Sequence, residues 1–98
     1  MLVKTGIVFK KKGMMSHLIQ RKLTLTNQPR LYFSTADTSE YKSDILITPF
    51  VSAVWKGGDK FDITCKRSGK HYTLKVERAD EAEMWATKIN RVVEASTK

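Results

Sequence analysis

Apolar and polar side chains alternate with a period of two through most of the first 76 residues, and the period lengthens to three and four after residue 80. Val3 to Lys10 reads as a first strand in which Val8 and Lys10 share a face. Lys11-Lys12-Gly13-Met14-Met15-Ser16 follows as a turn, with Gly13 available for positive φ. His17 to Thr26 forms a second strand whose Ile19, Arg21, Leu23 and Leu25 lie on one face. Asn27-Gln28-Pro29 reverses the chain into a third strand, Arg30 to Ser34. Polar residues Thr35 to Glu40 lead into a fourth strand over Tyr41 to Ile47, and Pro49 breaks it. Val51 to Trp55 is a short fifth strand ended by Gly57-Gly58-Asp59. Phe61, Ile63 and Cys65 alternate with Asp62, Thr64 and Lys66 in a sixth. Arg67-Ser68-Gly69-Lys70 then turns the chain into a seventh, with Tyr72, Leu74 and Val76 facing inward.

Beyond residue 80 the apolar positions Ala82, Trp85, Ile89 and Val92 or Val93 recur on one helix face. Asp80 is the expected N-cap, with Glu83 three residues on completing a capping-box pattern. Seven short strands before one helix exclude a parallel α/β fold, which needs a helical crossover between strands. The expectation is a mainly β protein with one α-helix. It forms a single domain over residues 1–98, with strands at about 3–76 and a helix at about 80–95. Trp85 is expected to hold the helix against the sheet.

Composition narrows the chemistry. The lone Cys65 excludes an internal disulfide, and with only His17 and His71 beside it no structural zinc site is expected. No metal or cofactor is expected, and a reducing, cytoplasmic setting is the natural reading. The most apolar stretch, Ile45 to Trp55, is broken by Thr48, Pro49 and Ser52 and falls far short of the roughly 20 residues that span a bilayer. The N-terminus lacks the apolar run of a secretory signal.

Charge placement says more than its total of +8. Residues 1–36 hold Lys4, Lys10, Lys11, Lys12, Arg21, Lys22 and Arg30 and no acid, whereas the remainder is nearly balanced. A one-sided field points to an anionic partner at the face this first third builds. Nucleic acid is not expected, because aromatic residues do not interleave with the basic ones and no helix-turn-helix is present. An enzyme is not expected either: no nucleophile, base and acid set and no nucleotide-binding glycine loop is visible.

Lys-Thr-Gly-Ile-Val-Phe-Lys-Lys-Lys-Gly (Lys4 to Gly13) resembles the first strand and loop of pleckstrin-homology domains. Arg21-Lys22-Leu23-Thr24-Leu25-Thr26 followed by Leu31-Tyr32-Phe33 is similar to the second and third strands of that family, and Trp85 matches its characteristic helix tryptophan. The chain looks closest to the C-terminal domain of the 3-phosphoinositide-dependent protein kinases, through Lys-Lys-Lys-Gly in the loop and Leu-Thr-Asn-Gln-Pro-Arg-Leu-Tyr at the hairpin. The resemblance implies a PH-like barrel: a seven-stranded, strongly bent antiparallel sheet capped by the C-terminal helix. It also implies a non-catalytic module, the regulatory domain of a kinase, that binds phosphoinositide headgroups and is recruited peripherally to membranes.

The lipid motif of that family places a basic residue at the end of strand one and a basic-x-Arg pair in strand two. Lys10 and Arg21 match it, while Ile19 occupies the other basic position. Inward-phased cations at the rim of a rolled sheet point into its mouth, so Lys10 and Arg21 are expected to converge on a phosphate. Lys11 and Lys12 are expected to add long-range attraction to an anionic leaflet. Lys22, Arg30 and Lys42 are second-tier candidates near the same mouth, and Tyr32 either offers its hydroxyl to a phosphate or packs. Met14 and Met15, at the loop tip, either enter the acyl boundary or fold back on the sheet. The alternative function is a PH-fold protein- or peptide-interaction module with a groove between strand five and the helix, which Ile19 favours.

Overall fold

The computed structural model describes residues 2–11 and 18–96. The elements are β1 (Leu2–Lys11), β2 (Leu18–Thr26), β3 (Arg30–Thr35), β4 (Tyr41–Leu46), β5 (Val51–Trp55), β6 (Lys60–Cys65), β7 (Lys70–Lys75) and α1 (Ala79–Ala95). The strands form one antiparallel sheet in the order β4-β3-β2-β1-β7-β6-β5. This is the fold class that the alternation predicts. Strand limits agree with the sequence pattern to within two residues, with β7 beginning at Lys70.

The bend comes from β1. It pairs with β2 along almost its whole length but with β7 only at Phe9–Lys75 and Lys10–Leu74. The sheet therefore rolls over at the far end of β1, and its two halves close their inner face on one core. Period-two alternation sends Val8, Leu23, Leu25, Leu31, Phe33, Phe61, Ile63 and Leu74 inward, all essentially fully buried. Cys65 is buried with them, and burial pushes its thiol above the ordinary range.

Helix α1 covers one open end of the roll, packing chiefly on β5 and β6. Its buried face is Ala82, Trp85, Ala86, Ile89 and Val92, the spacing that the sequence predicts. Trp85 is fully buried and stacks on Phe61, with ring centroids 6.2 Å apart. Gly6 lies against it, where a Cβ would stand 3.4 Å from the indole, in ordinary van der Waals contact. The Lys4 ammonium lies 5.1 Å from the Trp85 ring centroid and 3.2 Å from Glu81 Oε2, fastening β1 to the first turns of the helix.

The helix start departs from expectation. Arg78, in extended conformation, is the N-cap and makes no side-chain cap; Asp80 lies inside the first turn. The Asp80 carboxylate still accepts a hydrogen bond from the Glu81 N–H at 3.1 Å, and the Arg78 guanidinium grips it at 3.0 and 2.6 Å. The acid thus serves the positive end of the helix without being its cap.

Candidate functional site

The site is built where β1, β2 and β7 approach the open end of the roll. In the β1–β2 register Val8 faces Arg21 and Lys10 faces Ile19. Lys10 and Arg21 are thus diagonal neighbours on the inner face, continuing the rows that Val8 and Leu23 begin. They line one recess of about 220 Å³ with Ile19, Phe33, Lys42 and Ser43. The convergence argued from parity is therefore present.

A bulge brings in Lys42. Phe33 pairs with Ser43, but the next residue, Ser34, pairs with Tyr41. Lys42 is the extra residue, so it lines the recess together with its neighbour Ser43 rather than alternating away from it. The preceding turn is tied down through Thr35, whose N–H donates to the Glu40 carbonyl at 2.9 Å and whose hydroxyl accepts from the Glu40 N–H at 2.9 Å.

Lys10 carries the sharpest electrostatic signature. Its ammonium lies 4.7 Å from the Phe33 ring centroid and 5.1 Å from that of Tyr72, two rings whose centroids are 5.7 Å apart. Burial among them lowers the Lys10 pKa below its ordinary 10.5, and repulsion from Arg21 and then Lys70 adds to the effect. Among the described residues the Lys10 ammonium has no carboxylate partner and faces other cations. A phosphate would relieve both the desolvation and the repulsion.

The other candidates separate from this recess. Lys22 and Tyr32 are one residue out of phase with Arg21 and Phe33, so they occupy the outer face. There they line a different, hydroxyl-rich hollow with Thr24, Ser34, Ser39 and Tyr41, and Lys22 Nζ lies 3.2 Å from Ser39 Oγ. Arg30 sits at the opposite end of β3 and forms an ion pair with Asp44, which also accepts the Tyr41 hydroxyl at 2.7 Å. These bonds, Tyr41 first and Arg30 second, hold the Asp44 carboxyl below the usual carboxylate range. Sequence position places Lys22, Arg30 and Tyr32 near one mouth; the pleat and the strand direction take them away from it. The Lys11 backbone pairs with Leu18 at the end of β1. The Lys11 side chain and residues Lys12, Met14 and Met15 lie outside the described residues.

Two side chains that the sequence did not assign to the site, Phe33 and Ser43, line the recess, and Tyr72 borders it through its ring beside the Lys10 ammonium. Lys70 acts on it electrostatically from the start of β7. Tyr72 and Lys70 share the phase of Leu74, and Leu74 is the partner of Lys10. Only that long-range pairing reveals their place.

The arrangement also bears on the groove expected between strand five and the helix. Asn90 of α1 accepts the Ala53 N–H at 2.9 Å and donates to the Ala53 carbonyl at 2.8 Å. The helix itself thus occupies the middle of that edge. Among the described residues no cluster of three or more His, Cys, Asp or Glu could hold a metal ion, and no helix is long and apolar enough to cross a membrane.

Solved structures share this architecture. The C-terminal PH domain of pleckstrin, crystallised in complex with D-myo-Ins(1,2,3,4,5)P5, superposes with a TM-score of 0.78 at 17% identity, covering 95% of this chain and 99% of that one. The PH domain of human oxysterol binding protein-related protein 11 gives 0.80 at 16% identity, covering 96% and 82%. The linker-DH/PH structure of p115-RhoGEF gives 0.81 at 13% identity, covering 96% of this chain and 29% of that one. At such identities the likeness is one of fold. No curated protein sequence matches the chain. The family model described as "PH domain" matches residues 1–98, and the chain belongs to the PH domain family.

Proposed function

We propose that the chain is a non-catalytic module that binds phosphoinositide headgroups on an anionic membrane surface and recruits an attached protein there from the cytoplasm. The observation that carries the reading is the convergence of Lys10, Arg21 and Lys42 on one recess, with the Lys10 pKa already lowered by burial and by its cationic neighbours. Three charge-assisted contacts near the upper end of about 1.5–3 kcal/mol each correspond to micromolar-scale affinity, and fewer or weaker ones to millimolar. The inositol pentakisphosphate bound by the pleckstrin domain has the same chemistry as such a headgroup. The resemblance of Lys4 to Gly13 and of Leu25 to Tyr32 to the 3-phosphoinositide-dependent kinases supports a kinase as the attached protein.

Ile19 supports a second reading. It lines the recess where the family motif carries a cation, which suits a PH-fold protein- or peptide-interaction module with weak lipid binding. Titration with soluble inositol phosphates and with phosphoinositide-doped vesicles, for the wild type and for Lys10→Ala/Arg21→Ala, separates the two. Headgroup-selective binding that the folded double variant loses supports the first reading. Selective binding that survives in the double variant refutes the site, and a wild type blind to phosphoinositide content selects the second reading.

A further inference from the structure

We propose that the free edge of β4 is a strand-addition site for an extended, acidic peptide segment of a partner protein. The sheet has two edges, β5 and β4, and treats them differently. Asn90 occupies both main-chain groups of Ala53 on β5. Among the described residues no side chain does this along β4. The Ile47 N–H donates to the Pro29 carbonyl at 2.8 Å, on the β3 side. By the period of two, Ile45 and Ser43 also bond toward β3, so the N–H and C=O groups of Asp44 and Leu46 point outward. An exposed row of such groups is a template for another strand.

Beside this edge runs a groove of about 250 Å³. Ile45, Val51, Cys65 and Tyr72 give it an apolar floor, and the turn between β6 and β7 forms its far wall with Arg67 and Lys70. Phe50, 45% exposed, stands at the rim with the Arg67 guanidinium 4.9 Å from its ring centroid. Neither Arg67 nor Lys70 has a carboxylate partner among the described residues, and Asp44, the acid in the lining, is held by Arg30 and Tyr41. Outward backbone groups, an apolar slot and two unpaired cations complement an extended segment that alternates apolar and acidic residues. Exposed Leu46 and Phe50 would also suit a bilayer, but an acyl chain cannot satisfy the directional N–H and C=O groups. The groove borders the headgroup recess through Tyr72 and Lys70, but its backbone edge on β4 and Arg67 are not part of that recess, so inositol phosphate binding is read separately in the test.

The test uses the full chain and a fluorescein-labelled nine-residue peptide alternating valine or threonine with glutamate. Its counterparts carry lysine for glutamate or N-methyl groups at alternate amides. The acidic peptide is expected to bind saturably and to shift the amide resonances of Asp44 and Leu46. The lysine and N-methylated peptides are each expected to bind at least about tenfold more weakly, as the loss of one charge-assisted contact or of two or more main-chain contacts implies. Arg67→Glu and Leu46→Pro are expected to weaken the acidic peptide similarly while leaving inositol phosphate binding intact. Leu46→Pro removes only an outward N–H, and the N-methylated peptide asks the same question if that variant does not fold. Equal binding of the three peptides, no saturation below about 1 mM, or displacement of the peptide by anionic vesicles free of phosphoinositide would overturn the proposal.

Discussion

Replacing Lys10 by methionine separates binding from stability, because the same ammonium that would meet a phosphate is poorly placed in its absence. Lys10 contributes cation–π contacts to Phe33 and Tyr72, worth about 0.5–1 kcal/mol at a partly exposed site. Against that stand its desolvation and its repulsion from Arg21 and Lys70. Methionine keeps the aliphatic reach, and its sulfur regains about 0.3–1.5 kcal/mol against the same rings. The opposing contributions nearly cancel, so thermal unfolding should shift by less than about 3 °C, with a rise more natural than a fall. Headgroup binding loses one charge-assisted contact of about 1.5–3 kcal/mol, which is roughly a 10- to 150-fold increase in Kd. Calorimetric titration with a soluble inositol polyphosphate, paired with a thermal melt of each protein, reads both quantities. A Kd unchanged within about threefold, or a binding loss accompanied by a fall of more than about 5 °C in Tm, would show that Lys10 packs rather than binds.

The lowered Lys10 pKa gives a pH signature. Between its folded value and 10.5 the unfolded chain binds more protons, so stability from this group rises with pH across that window. The stability difference between wild type and Lys10→Met, measured by denaturant melts, should therefore move in favour of wild type from pH 8 to pH 10; a constant difference contradicts the assignment. Asn90→Ala leaves both main-chain groups of Ala53 unpaired, a loss of about 2 kcal/mol that should lower Tm by about 8–16 °C. A drop below about 3 °C would mean that water replaces the amide at no cost. Trp85→Ala empties the space between Gly6 and Phe61 and should cost about 3–5 kcal/mol; near-native stability in a denaturant melt would show that the core collapses around the gap.

The alternation of residues by itself determined the seven strands and the helix, because side-chain direction in a strand has a period of two and in a helix 3.6. It also placed Lys10 and Arg21 on the face of Val8 and Leu23, which adjacent pairing then made a shared recess. The cap at Arg78 was not legible, since an acid in the first turn suits the helix end whether or not it is the cap. Lys42 depended on a bulge, and a bulge is a property of two paired strands rather than of either sequence alone. The same holds for Tyr72 and Lys70, which meet Lys10 through pairings between the first strand and the last. The phase that separates Lys22 and Tyr32 from the recess was already written in the sequence, but proximity along the chain concealed it. Local periodicity decides which way a side chain points; only the rolling of the sheet decides what it points at, because that contact lies dozens of residues away.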